Sequence, residues 1–506
     1  MFPRAVSIAV ILIAGNLSVN ARVYVAHTQG KVFYVAPTGN DSNPGTMARP
    51  WRTIQKAANS LVAGDTVYVR AGTYRTRVIP KKSGTDASHV ITYASYAGEK
   101  ATIDGSGIPV PDDEGLFDIR GKKYITLTGL KVTNSTFAGI YVQDSSNITL
   151  QGNRTYKTVS SGIGVWNSTN VVVDRNDVAK ACSGGMQEFI TIAGTKGSEV
   201  RSNHVHQGAR KEGICIKDGS SEGKVYGNNV HQIRAVGIYV DAWDKHTSNI
   251  EVFANVVHDV TDSNGIALSS ESGGLLEKIK VYNNIVYRTK YFGIAVTNAG
   301  FTDVRHPIRN VEIVNNTLWA NGIPWGGGIS IYNKDARNIL IRNNLCSENT
   351  AFQIAVAAYV PKSTFKIDHN LINPFMGYED EVRGSNCVEA DPLLVNPAKR
   401  DFHLGAGSPA IDKGSSTKAP AVDFSGSPRP QDGDSDGIAR FDIGAYEASS
   451  AAAATARLRM NRNCHPINYM SIDREDGIIE REVRGVAASE NRRNCFFALR
   501  DFCAKK

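Results

Sequence analysis

"GICIKDGSSEGKVYGNN", residues 213–229, decides the fold, because nearly the same string returns at 237–255 as "GIYVDAWDKHTSNIEVFAN" and at 265–284 as "GIALSSESGGLLEKIKVYNN". Each copy opens on a short strand of the form Gly-Ile-x-(Val/Ile/Leu), continues into a second alternating strand and ends in asparagine. The opening strand also appears at 139, 162, 293 and 328, and "FITI" at 189 and "QIAV" at 353 fill the same slot without glycine. The steps run mostly from 23 to 28 residues, with one of 35 between 293 and 328. Self-similarity at such a period marks a repeat architecture in which no unit buries its own apolar face and stacking does. Two or three strands per unit, no helical period and no hairpin turns lead to an all-β fold, a right-handed single-stranded parallel β-helix. The asparagines Asn153, Asn176, Asn203, Asn228, Asn255, Asn284, Asn316 and Asn344 hold one position in eight units. They are expected to stack as a ladder, amide bonding to amide from coil to coil.

The ends of the repeat carry their own signals. "PWRTIQKAANSLVAGDTVYV", residues 50–69, puts Ile54, Ala57, Ala58 and Leu61 on one helical face, as expected of a helix capping the first coil. Residues 22–379 read as the β-helix with this cap, and 380–448 as a turn-rich closing region that lacks the repeat. Within it "QDGDSDG" is acidic but lacks the full calcium-loop pattern. Residues 1–21 read as a secretory signal peptide: one basic residue, an apolar run and a small-x-small end. Residues 449–506 read as an Ala-rich linker and a basic, cysteine-containing tail of open role.

Charge narrows the partners. Of the formal +8, four belong to the 451–506 tail and one to Arg4, which leaves the remainder weakly basic at +3. No basic run with interleaved aromatics supports a nucleic-acid partner, and no later run reaches the ~18 apolar residues of a membrane span. A secreted monomer is expected. The seven cysteines match no zinc spacing, and their pairing is open.

The opening "FYVAPTGNDSNPGTMARPWRTIQKAANSLVAGDTVYVRAGTY", the Gly-Ile coils, the asparagines and the closing "DIGAYE" together resemble secreted right-handed β-helix polysaccharide lyases of the pectate-, alginate- and chondroitin-lyase-like kind. The resemblance spans about residues 32–448. It implies β-elimination on a uronate-containing, acidic polysaccharide: a base removes the C5 proton, and Ca²⁺ or basic side chains neutralise the uronate carboxylate.

The residues themselves place a site. In Gly-Ile-x-Val-z, Ile and Val point inward and x and z outward. Polar side chains concentrate in three consecutive coils. The first holds Lys211, Glu212, Lys217 and Asp218, the second Tyr239, Asp241, Trp243, Asp244, Lys245 and His246, and the third Glu271. Adjacent coils lie ~4.8 Å apart, so Lys217 is expected to touch Asp241. Lys217 is assigned as base, Tyr239 as acid for the leaving oxygen and Asp241 as their partner. Asp218, Asp241, Asp244 and Glu271 are assigned as oxygen ligands for Ca²⁺. Lys211, Glu212, Trp243, Lys245, His246 and Trp166 are assigned to substrate. Two rivals stand beside this reading: a glycoside hydrolase using carboxylates such as Asp241, Asp244 and Glu212, and a glycan-binding β-helix without catalysis. A plain Lys217–Asp241 ion pair would itself be worth little at a surface.

Overall fold

The computed structural model describes residues 30–298, 300 and 303–449. The signal-peptide reading of 1–21 and all of the tail but its first residue lie outside them. Among the described residues no helix is long and apolar enough to cross a membrane.

The chain winds as a right-handed parallel β-solenoid with three sheets along its length. Two sheets have thirteen strands and the third has ten. The first runs from Val32–Val35 to Lys366–Asp368, the second from Gly72–Tyr74 to Val388–Glu389, and the third from Gly115–Arg120 to Phe352–Val356. Every strand of these three sheets pairs in parallel with its equivalent one coil away, whereas Leu394–Asn396 and Asp401–Leu404 form a separate antiparallel pair. Ile214–Lys217, for example, sits between Ile190–Ala193 and Ile238–Asp241. Alternation supplies the core. Ile214 and Ile216, Ile238 and Val240, and Ile266 and Leu268 are fully buried, as are Val225, Val252 and Val281 on the first sheet.

The asparagine ladder forms between the first and second sheets. Asn228 Nδ2 donates to the Val200 carbonyl at 2.9 Å and to Asn255 Oδ1 at 2.9 Å. Its own Oδ1 accepts from the backbone N–H and Nδ2 of Asn203. The pattern repeats from Asn153 to Asn344 and continues one step further to Asn370. A second, shorter ladder links Asn321 to Asn349. The residue before each rung of the long ladder has a left-handed backbone, including Ala254 at φ 50°. A tight corner forces that conformation, and the buried amide satisfies the groups the corner leaves unpaired.

At the amino-terminal end, the helix Ile54–Ser60 is capped by Thr53, whose side chain accepts from the Lys56 N–H. Its Ile54, Ala57 and Ala58, with Leu61, join the same apolar core as Val35 and Val67. At the other end the expected arrangement changes. Phe365, Ile367, Phe375, Val382 and Cys387 are the late residues that pack against the main core. Much of the expected closing region instead lies along the flank of the preceding coils. Asn283 Nδ2 donates to Val422, Asn315 Nδ2 to Asp442 and Gly444, and Asn343 Nδ2 to Ser415. Phe402 and Tyr446 cover Tyr287. Outward asparagine and aromatic side chains on that flank need partners, and this segment supplies them.

Candidate functional site

The third sheet carries the candidate site, and its outward face is covered. Thr191, Cys215, Tyr239 and Ala267, expected at solvent, are buried, and so are Ala193, Asp241, Ser269 and Thr297. Cys215, Val236, Tyr239 and Ala267 make a small apolar cluster of their own there. The reason is the long turns between sheets, which fold back over the strands. Trp243 O accepts from the N–H groups of Ser272 and Gly274, which ties the 242–246 turn to the 270–275 turn. Gly300 lies so close to Glu271 that a Cβ would sit 2.2 Å from the Glu271 carbonyl oxygen, and its φ of 124° also favours glycine. The strand face that carries the site is therefore covered rather than open.

Lys217 does not bond to Asp241. Its Nζ reaches back one coil, to Glu188 Oε1 at 2.9 Å and Gln187 Oε1 at 3.2 Å. Burial works to strip the lysine proton. The negative charges nearby, Glu188 foremost, outweigh it and hold the ammonium above the ordinary lysine value. That state suits a fixed cation and opposes the assigned role of base. Glu188 is itself fastened by Thr191, whose hydroxyl donates to Oε2 at 2.7 Å.

Glu188 is the residue sequence reading missed. It stands two positions before Ile190 as Glu212 stands two before Ile214, and those two isoleucines are in register. Aligning "QEFITI" with "KEGICI" exposes this acidic pair; the missing glycine in the first hides it. Burial raises the Glu212 carboxyl and the charge of Glu188 adds to it. Glu212 Oε2 is buried without a hydrogen-bond partner.

The other half of the site holds Asp241, Tyr239 and Glu271. Asp241 is only 2% exposed. Burial, helped by the charge of Glu271 and opposed by the Trp243 backbone N–H, pushes its carboxyl up to about 7. The Glu271 N–H donates to Asp241 Oδ1 at 3.2 Å. The Tyr239 hydroxyl donates to Glu271 Oε1, and burial together with Asp241 and Glu271 drives that phenol well above its usual range. Asp218 is half-buried at φ 55°, its carboxyl raised by burial first and then by Glu188.

The remaining assigned residues scatter. Trp243, Asp244, Lys245 and His246 are exposed on one turn, Trp243 at φ 49°. His246 bonds to Glu277 Oε1 at 3.0 Å. Trp166 stacks on Tyr141, ring centres 4.8 Å apart, which occupies one of its two faces. Lys211 is half-buried near Glu212.

Asp218, Asp241, Asp244 and Glu271 are the oxygen donors calcium prefers. No three of them bring carboxylate oxygens within 4.8 Å of one another, in contrast to two other groups among the described residues. The four do not form a ready calcium cage.

Comparison with known proteins agrees with the architecture. A family model described as "Pel9A-like, right handed beta helix region" matches residues 33–344. The uncharacterized protein YwoF of Bacillus subtilis (strain 168) is 26% identical over 439 residues, covering 75% of this chain and 92% of that one. Pectate lyase L of Dickeya dadantii (strain 3937) is 23% identical over 428 residues, covering 78% and 88%. The crystal structure of pectate lyase Pel9A superposes with a TM-score of 0.50 at 15% identity, over 83% of this chain and 97% of that one.

Proposed function

The chain belongs to the Pel9A-like right-handed β-helix family, and from that premise we propose that it is a secreted polysaccharide lyase acting on a uronate-containing polysaccharide of the pectate type. One observation carries the reading: consecutive coils juxtapose a fixed ammonium, Lys217, with carboxylates whose buried member titrates near neutrality. A uronate lyase needs a cation to draw charge from the sugar carboxylate and a group near neutrality to move the C5 proton. Lys217 is the cation. Asp241 and Glu271 form the proton-transfer pair: Asp241 is the member raised toward neutrality, and half-buried Glu271, whose backbone N–H donates to Asp241, is the member that meets the sugar. The base takes the C5 proton, the C4–O bond breaks, and Tyr239 protonates the departing oxygen. The exposed Trp243 turn and Lys245 border the entry. No step is routed through calcium.

The carboxylate pair also favours a second reading, glycoside hydrolysis. The two differ in product. The protein is incubated with pectate, alginate and chondroitin, with and without calcium, while unsaturated-uronate absorbance and reducing ends are followed. Lyase action is expected to raise both together on pectate. Reducing ends without absorbance give the hydrolase, and neither signal on any substrate removes both readings and leaves glycan binding.

A further inference from the structure

We propose that His204, His206 and His231 form a binding site for a first-row divalent transition metal of the zinc type, on the outer face of the second sheet. His204 and His206 flank inward-facing Val205 on the strand His204–Gly208, so both rings point outward. His231 lies one coil later, in register with His206. One imidazole nitrogen from each of the three falls within 4.8 Å of the others. His204 Nε2 and His231 Nε2 face each other at 2.8 Å. Two nitrogens on one zinc, at bonds of about 2.0–2.1 Å, stand roughly 3.3 Å apart in tetrahedral geometry, so a small ring rotation admits the ion. Asp177, one coil before, bonds to His206 Nε2 at 3.0 Å. A carboxylate on a histidine nitrogen orients the ring and strengthens it as a ligand.

Nitrogen donors of this kind select zinc, nickel or copper over calcium.

A rival explanation is an aromatic stack. His231, His258 and Tyr287 do stack ring on ring at 4.8 Å, one per coil, with His206 at the head of the column. His204 joins the stack from the side, its ring centre 4.0 Å from that of His206 and 5.0 Å from that of His231; what stacking leaves unexplained is the convergence of one nitrogen from each of the three rings. His204 stands in the neighbouring column, in register with Asp177 and Asn229, and turns its Nε2 across to His231. A metal there clamps two coils, and the first of them runs on through residues 209–213 into the strand bearing Lys217.

The test titrates metal-free, untagged full-length protein with zinc chloride by calorimetry, alongside His204→Asn, His231→Asn and the flank control His403→Asn. Wild type and the control are expected to bind one equivalent that each cluster variant loses by at least about 100-fold, with Asp177→Asn weakened about 10–100-fold. Cobalt substituted in the wild type is expected to give visible absorption that His204→Asn lacks. The proposal is overturned if wild type binds no zinc at micromolar concentration. It is equally overturned if His204→Asn, folded by circular dichroism, binds as wild type does, which would place the zinc elsewhere in the chain.

Discussion

At the scale of single residues, the site separates two kinds of charge. Lys217 is held as a cation by Glu188, so its charge, not its basicity, is what it offers. Lys217→Ala is expected to reduce kcat/KM on the cleaved polysaccharide by at least about 100-fold. Lys217→Arg, which keeps the charge and has no accessible neutral form, is expected to retain much of the activity; total loss in the arginine variant would restore the lysine as base. Asp241 behaves oppositely. Its folded pKa of about 7 lies above its ordinary value. Below about pH 4 both folded and unfolded chains hold the proton and there is no cost. As pH rises from 4 to 7 only the unfolded chain releases it, and the penalty is complete above 7. Asp241→Asn is therefore expected to leave stability at pH 4 nearly unchanged and to raise it at pH 8 by about 2–4 kcal/mol. Denaturant titrations at the two pH values check this, and an equal effect at both would contradict the burial argument.

At the scale of elements, the asparagine ladder and the strand alternation do different work. Alternating Ile and Val make any coil compatible with any other, whereas each rung satisfies named backbone groups. Asn228→Ala orphans the Asn203 N–H and Nδ2 and the Val200 carbonyl. A cost of at least about 3 kcal/mol is expected, since each of the three buried groups left unpaired costs about 1–3. Asn229, exposed on the second sheet with an ordinary extended backbone, is expected to change stability by less than about 0.5 kcal/mol when replaced by alanine. Thermal or chemical unfolding of the two variants side by side makes the comparison. The ladder was legible beforehand because eight asparagines recur in one slot. Its ninth rung, Asn370, was not, because it follows "KIDH", which breaks the strand pattern.

At the scale of the molecule, the solenoid and its flanking segment are fastened by few, buried polar links. Arg429 and Glu447 pair at 2.8 Å with both side chains fully buried. Arg429 also holds the Asp442 and Gly444 carbonyls, which in turn receive Asn315. Removing one partner leaves an uncompensated buried charge, so Arg429→Ala is expected to cost about 3–5 kcal/mol. Because coils contact mainly their neighbours, that loss is expected to stay local. Hydrogen exchange should show residues 394–447 opening while the ladder amides from Asn153 to Asn255 keep their protection. Simultaneous loss of protection along the whole solenoid would show the flank to be part of one cooperative unit.

The amino-acid sequence by itself determined the solenoid, its inward faces and the coils where polar chemistry gathers. Those follow from periodicity, and a period is a property of the string. Which charges meet was decided only by the tertiary structure. Lys217 had a neighbour on either side, and the turn between coils, not the strand, brought Glu188 to it and left Asp241 to Glu271. The face expected at solvent was buried for the same reason, since inter-coil turns of irregular length carry no period yet choose what covers a strand.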